Sequence, residues 1–363
     1  MKEKNLTFTI LSAIGIVLIL LGHLDFNILA LGGLFPYYSY HVMIFVFISG
    51  YFSKSSDELD LCGFFIRKFK HLLIPYFIWN VIYGIICMLL KYADINIGSD
   101  ITLYNLFVAP FMGGHQFGLN APAWFVPALF LLQMCDILAR KIWHLIIKKK
   151  DVFNEWILML LYLIVGMAVV ALAKRGSVYD WYKLPGRLML MAPAYQFGRL
   201  YRTDLEKRDR IPSVIYFSLL ILINLIIIYT TGGLAYSTVW VTGFAGSVLT
   251  PFVTTFTGIA LWLRVSRILA SKINKDTFSF KAISAVSDHT FDIMMNHLLV
   301  FMLIKAVMYI SGCEMDVAAF KSDVYYVAAV SNVEEFKWVY LILGIILPVI
   351  AASMIKKAKR IKK

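Results

Sequence analysis

The sequence predicts an all-α, polytopic membrane bundle of about ten transmembrane helices with both termini in the cytoplasm. Three observations carry that expectation. Of 363 residues, 60% are hydrophobic and only 16% charged, whereas soluble domains carry about 25% charged residues. Apolar runs of about twenty residues recur along the chain, each long enough to cross a hydrocarbon core of roughly 30 Å as a helix. Between these runs, Lys-rich and Arg-rich loops alternate with loops poor in both, as cytoplasmic and external loops do.

The first run, Leu6 to Leu24, holds one ionisable group, His23, near its end. Lys2 and Lys4 precede it as in a signal peptide, but the run is too long and no small-x-small site follows, so a retained first span is expected. Further spans are expected at 37–53, 72–91, 122–139, 155–173, 184–201, 211–231, 237–263, 288–310 and 337–355. The eighth contains Gly243, Gly246, Pro251 and Gly258, which suits a kinked helix or a re-entrant piece followed by a shorter span. A single membrane domain over 1–363 is expected, with no internal repeat.

The loops fix the orientation. The N-terminus, 54–71, 140–150, 199–210, 264–281 and 356–363 together hold 27 Lys and Arg, against four (Lys174, Arg175, Lys183 and Lys321) in 25–36, 92–121, 174–183, 232–236 and 311–336. The two sets alternate strictly, so the first set is expected inside. This distribution also accounts for the net charge of +13 without a nucleic-acid partner, and membrane lipids are the surroundings it implies. The four cysteines show neither metal-ligand spacing nor a disulfide framework, and no metal motif or phosphate-cradling loop is present.

With that orientation, His23, His41, Trp124 and Arg187 fall near the outer face. Arg67, Lys68, Lys70 and His71 fall at the inner face, with Arg199 and Arg202. A histidine in an apolar span is costly unless it faces a wet cavity or a partner, and a neutral imidazole suits proton transfer near pH 7. Cations at the inner face suit an anionic ligand, with Arg able to bind phosphate bidentately; they equally serve as orientation signals. Trp124 suits either sugar stacking or interfacial anchoring, and Arg187 either an anionic or carbonyl group or snorkelling to headgroups.

Five stretches then fall into a familiar order: SAIGIVLILLGH (Ser12–His23), YHVMIFVFISGYFSK (Tyr40–Lys54), FFIRKFKHLLIPYFIWN (Phe64–Asn80), APAWFVPALF (Ala121–Phe130) and AVSDHTFDIMMNHLLVF (Ala285–Phe301). In order and spacing they resemble the membrane-bound acyltransferase-3 family, most closely its fucose 4-O-acetylase-like sugar O-acetyltransferase branch. The resemblance implies an acetyl group taken from cytoplasmic acetyl-CoA, as co-substrate, and placed on a hydroxyl of a cell-surface or lipid-linked glycan at a bacterial cytoplasmic membrane. It implies His23 as the catalytic base, with His41 and His297 as further catalytic candidates. Arg67, Lys68, Lys70 and His71 are candidates for the CoA phosphates, and Trp124 and Arg187 for the acceptor. His297 shares a helical face with Thr290 and Met294, and Asp288 and Asp292 are expected to face a polar cavity or to pair with Lys281 or Lys305. The family usually carries Arg or Lys eleven residues before its first histidine; here that position is Ser12. A transporter without chemistry, or a degenerate family member, is the alternative the same spans allow.

Overall fold

The computed structural model describes residues 5–147, 151–328 and 333–361. Lys2, Lys4 and the cations at 148–150 and 359–363, all counted in the charge pattern, lie outside the residues whose side chains are described. Among the described residues the chain is helical, with two isolated backbone bridges. Among the described residues eight helices are long and apolar enough to cross a membrane: Leu6–His23, Leu61–Lys91, Gly118–Ile146, Val152–Lys174, Ser213–Thr231, Thr250–Lys272, Thr290–Ile310 and Glu335–Ala358. The protein is a multi-pass membrane protein.

In chain order we label α1 (Leu6–His23), α2 (His41–Tyr51), α3 (Leu61–Lys91, with a π turn at Phe69–Leu73), α4 (Phe125–Ile146), α5 (Val152–Lys174), α6 (Lys183–Leu200), α7 (Ser213–Thr231), α8 (Thr250–Lys272), α9 (Phe278–Asp288), α10 (Thr290–Ile310) and α11 (Val333–Ile361). Local signals set several ends. Asp60, Asp151 and Thr277 accept from backbone N–H groups in the first turns of α3, α5 and α9, removing orphan donors. Pro251 sits in the first turn of α8, where its missing N–H costs nothing. Gly232 closes α7 at φ 74°, a left-handed C-cap.

α1 is apolar all round, and such a helix belongs in the interior. It packs against α2, α8, α9, α10 and α11. The two expected spans that do not qualify by length and hydropathy are α2, with 11 residues, and α6, with 18. These two pack on each other, and glycines let their backbones meet. A β-carbon at Gly50 would lie 1.9 Å from the Tyr195 carbonyl oxygen, and one at Gly198 would lie 2.0 Å from that of Phe47. Burial among α2, α5 and neighbouring loops, rather than exposure to lipid, lets α6 carry Arg187, Gln196 and Arg199.

Two cations of the Lys-rich and Arg-rich loops turn out to be structural. Arg140 is fully buried, bonded to Asp136 at 3.3 Å, to Glu155 at 2.8 and 3.0 Å, and to Gln196. Arg199 donates to Ser53 Oγ at 2.8 Å. The network ties α4, α5 and α6 together, because a buried guanidinium needs its donors taken up.

The eighth span begins at Thr250, not at 237. Residues 237–249 form an irregular segment with a Ser237–Thr242 backbone bridge and left-handed residues at Val241, Gly243 and Gly246. Those glycines suit tight turns, and irregular backbone at membrane depth occurs where it lines a cavity.

Candidate active site

A cavity of about 800 Å³ lies between α1, α2, α10 and the segments around 115–126 and 235–243. α1 supplies one stripe of its wall, Ser12, Ile16, Ile19 and His23, at steps of four, three and four residues that keep one face. The eleven residues from Ser12 to His23 span roughly 16 Å at 1.5 Å per residue. α2 adds His41, Val42, Phe45, Ile48 and Ser49 in the same periodicity, and α10 adds Thr290, Phe291 and Met294. Between the two ends the wall is largely apolar.

At one end His23 Nδ1 lies 2.8 Å from His297 Nε2. His297 Nδ1 lies 2.9 Å from the Ile293 carbonyl, one turn back in its own helix. A carbonyl only accepts, so His297 Nδ1 carries the proton and its Nε2 is a lone pair in the neutral ring. His23 Nδ1–H must therefore donate to that lone pair. The remaining nitrogen of His23, Nε2, is left unprotonated. One helix carbonyl thus fixes the tautomers of two imidazoles in succession, as an orienting partner does for a catalytic histidine.

His41 also lines the cavity, and its Nδ1 bonds the Tyr37 carbonyl, again one turn back. The Tyr38 ring meets it edge-on at 5.3 Å, and the Tyr38 hydroxyl donates to the Gly22 carbonyl at 2.9 Å. Helix α2 thereby presents His41 to the same chamber as His23. Trp124, 7% exposed, lines this chamber too.

Arg187 is placed otherwise than the sequence suggested. It is buried off the cavity, and its guanidinium donates to the carbonyls of Val239 (2.6 Å), Met112 (3.0 Å) and Gly113 (3.3 Å), with its charge 5.2 Å from the centre of the Trp124 ring. Three backbone oxygens converge there because the 237–249 segment and the turn at 112–113 both end against α6. Arg187 therefore shapes the wall rather than touching its contents.

The basic run is likewise not on the chamber. Arg67 pairs with Asp57 at 2.9 Å and Asp60 at 3.3 Å, and Lys68 lies over Phe64. Lys70 and His71 are exposed, and Leu72 is the first residue of that stretch to reach the wall. Asp292 bonds His289 at 2.8 Å rather than Lys281 or Lys305. Lys305 turns to the carbonyls of Asp323 and Val324 instead.

Three wall residues escaped the sequence reading. His115 stacks on Trp240 at 4.8 Å, its Nδ1 bonded to the Gly113 carbonyl at 2.8 Å; burial lowers its pKa below the ordinary imidazole value. Trp240 stands at the tip of the segment expected to be helical and is 45% exposed. Tyr325 meets the His23 ring at 5.3 Å. Each sits on a loop, where periodicity gives no signal.

A base at one end of a long apolar chamber, with aromatic rings around it, can accept a hydroxyl proton while an extended donor lies along the wall. Among proteins of known family, the chain matches the model described as an acyltransferase domain, that of the acyltransferase-3 family, over residues 7–356. No curated protein and no solved structure matches it.

Proposed function

Because this chain belongs to the acyltransferase-3 family and is an acyltransferase, we propose that it transfers an acetyl group from acetyl-CoA to a hydroxyl of a cell-surface or lipid-linked glycan, as the fucose 4-O-acetylase-like branch does. The observation that carries the proposal is the Ile293–His297–His23 hydrogen-bond chain, which leaves His23 Nε2 free as general base at the cavity. Such a base contributes roughly 10²–10⁴-fold to a proton-transfer step.

In this reading α2 and α6 complete ten membrane helices, both termini lie in the cytoplasm, and the membrane is the bacterial plasma membrane. The His23 end then faces outward and the Ser12 end inward. The acceptor sugar lies among Trp124, Trp240 and His115, aromatic faces suited to a ring's apolar side. The thioester reaches His23 along the wall from the Ser12 end. Ser12, Ser49 and Thr290 are the small hydroxyl residues there, and Arg67, Lys68, Lys70 and His71 hold the CoA phosphates at the surface next to Leu72. His41 steadies the attacking hydroxyl beside the base.

The acceptor oxygen attacks the thioester carbonyl as its proton passes to His23 Nε2. The tetrahedral intermediate expels the CoA thiolate, which takes up that proton. Membranes carrying the protein, given radiolabelled acetyl-CoA, are expected to label glycan, and His23→Ala is expected to abolish the label. Unlabelled glycan crossing the membrane equally well in both would overturn the enzyme reading in favour of a transporter.

A further inference from the structure

Acyl transfer through a tetrahedral intermediate places a negative charge on the former carbonyl oxygen, and that charge needs a fixed donor beside the base. Among the described residues two rings touch His23, those of His297 and Tyr325. His297 presents a lone pair, so it cannot serve an oxyanion. Tyr325 lines the cavity, and its side chain carries a hydroxyl.

Several other polar hydrogens at this end are committed. The Tyr38 hydroxyl donates to Gly22, Tyr236 and Thr255 share a 2.6 Å bond, and the His41 and His115 N–H groups go to backbone carbonyls. Among the described residues nothing takes up the Tyr325 hydroxyl. Tyr325 is 39% exposed at the cavity; partial burial, then the neighbouring Tyr38, raise its pKa above the ordinary tyrosine value, so it stays protonated and able to donate.

The backbone holding Tyr325 is anchored from below. Lys305, fully buried in α10, donates to Val324 at 3.2 Å and to Asp323 at 3.4 Å, and the Asp323 carboxylate accepts from the Tyr325 backbone N–H at 2.8 Å. A lysine buried in a span is costly without such partners. Here its three donors are turned toward the loop that carries Tyr325.

We propose that Tyr325 donates the hydrogen bond that stabilises the tetrahedral oxyanion beside His23, with Lys305 as the positioning residue of its loop. The inference rests on the acyltransfer reading above. As the acceptor oxygen bonds to the carbonyl carbon, the C=O pair moves onto oxygen and meets the Tyr325 O–H. The proton stays on Tyr325 throughout. On collapse the pair returns, the C–S bond breaks, and the thiolate leaves with the proton held by His23.

The test is steady-state CoA release by purified protein for Y325F, K305M, K305R and H23Q. Loss of one oxyanion donor costs about 10²–10³-fold in kcat, so Y325F is expected to fall by that factor with both KM values near wild type. K305M should also lower kcat without moving the acceptor KM, and K305R should recover most of it. Y325F with wild-type kcat, or with only a raised KM, overturns the inference while an inactive H23Q leaves the function standing. An active H23Q overturns the role of His23 as base, and a wild-type protein that releases no CoA overturns the acyltransfer reading itself. Should Y325F fail to fold, the Lys305 pair decides: equal kcat in K305M and K305R overturns the positioning role and the inference with it.

Discussion

The rings of His23 and His297 lie 9° from parallel with centroids 5.0 Å apart, so two imidazoles from α1 and α10 stand in register across 274 residues of chain. Their shared bond orients His23 and selects its tautomer. Replacing His297 with Leu removes the acceptor and lets the His23 proton move to Nε2. We expect kcat to drop by about 10²-fold, since orientation and tautomer of a base account for much of its contribution. KM for acetyl-CoA should hold, and CoA-release kinetics on protein of unchanged melting temperature check this.

At the α2–α6 crossing, Gly50→Ala would put a methyl into the Tyr195 backbone and Gly198→Ala one into that of Phe47. Backbone cannot yield as a side chain does, so each should cost at least about 1–3 kcal/mol and lower the melting temperature in detergent. Gly22→Ala, with its nearest neighbour the Tyr38 ring at 3.8 Å, should leave stability almost unchanged.

Arg187 holds three carbonyls in a fork that a lysine cannot match. Arg187→Met leaves buried carbonyls unpaired, at about 1–3 kcal/mol for each such group. The 237–249 segment should loosen, with faster proteolysis there and a raised acceptor KM, while KM for acetyl-CoA stays. Arg187→Lys should be intermediate by both measures.

Trp240 offers an exposed aromatic surface at the cavity and touches neither histidine of the His23–His297 pair. Trp240→Ala is expected to raise the acceptor KM about tenfold, the loss of roughly 1.4 kcal/mol of stacking, with kcat for saturating acceptor kept. Michaelis plots against acceptor at fixed acetyl-CoA decide it.

His115 carries a pKa lowered by burial. The unfolded chain therefore binds its proton first as pH falls below about 6.5, and folded stability drops from there downward. Melting temperatures of wild type between pH 7.5 and 5 should fall more steeply than those of His115→Gln.

Much of the fold was legible because lipid imposes one rule, an apolar run per crossing. Where that rule did not apply, legibility ended. Residues 237–249 are apolar but line a cavity, so hydropathy extended α8 too far, though Gly243 and Gly246 marked the turn. Arg140 and Arg199 were counted as loop charges; Asp136 stands one turn from Arg140 on α4, but Glu155 on α5 and Gln196 on α6, which complete the network, lie in neighbouring helices that spacing does not connect. For the candidate site, His23, His41 and Trp124 were singled out because motif order carries them, and all three line the cavity. Arg187 was correctly singled out as unusual, but its carbonyl partners at 112, 113 and 239 depend on tertiary folding. Tyr325 and Trp240 come from loops, where no period exists.

The most direct test of the central claim is CoA release by purified wild type and His23→Gln with a hydroxyl-bearing sugar acceptor. A loss of at least about 10²-fold in kcat for the variant, at unchanged KM for acetyl-CoA, is the expected result. A His23→Gln enzyme working within a few-fold of wild type would contradict it.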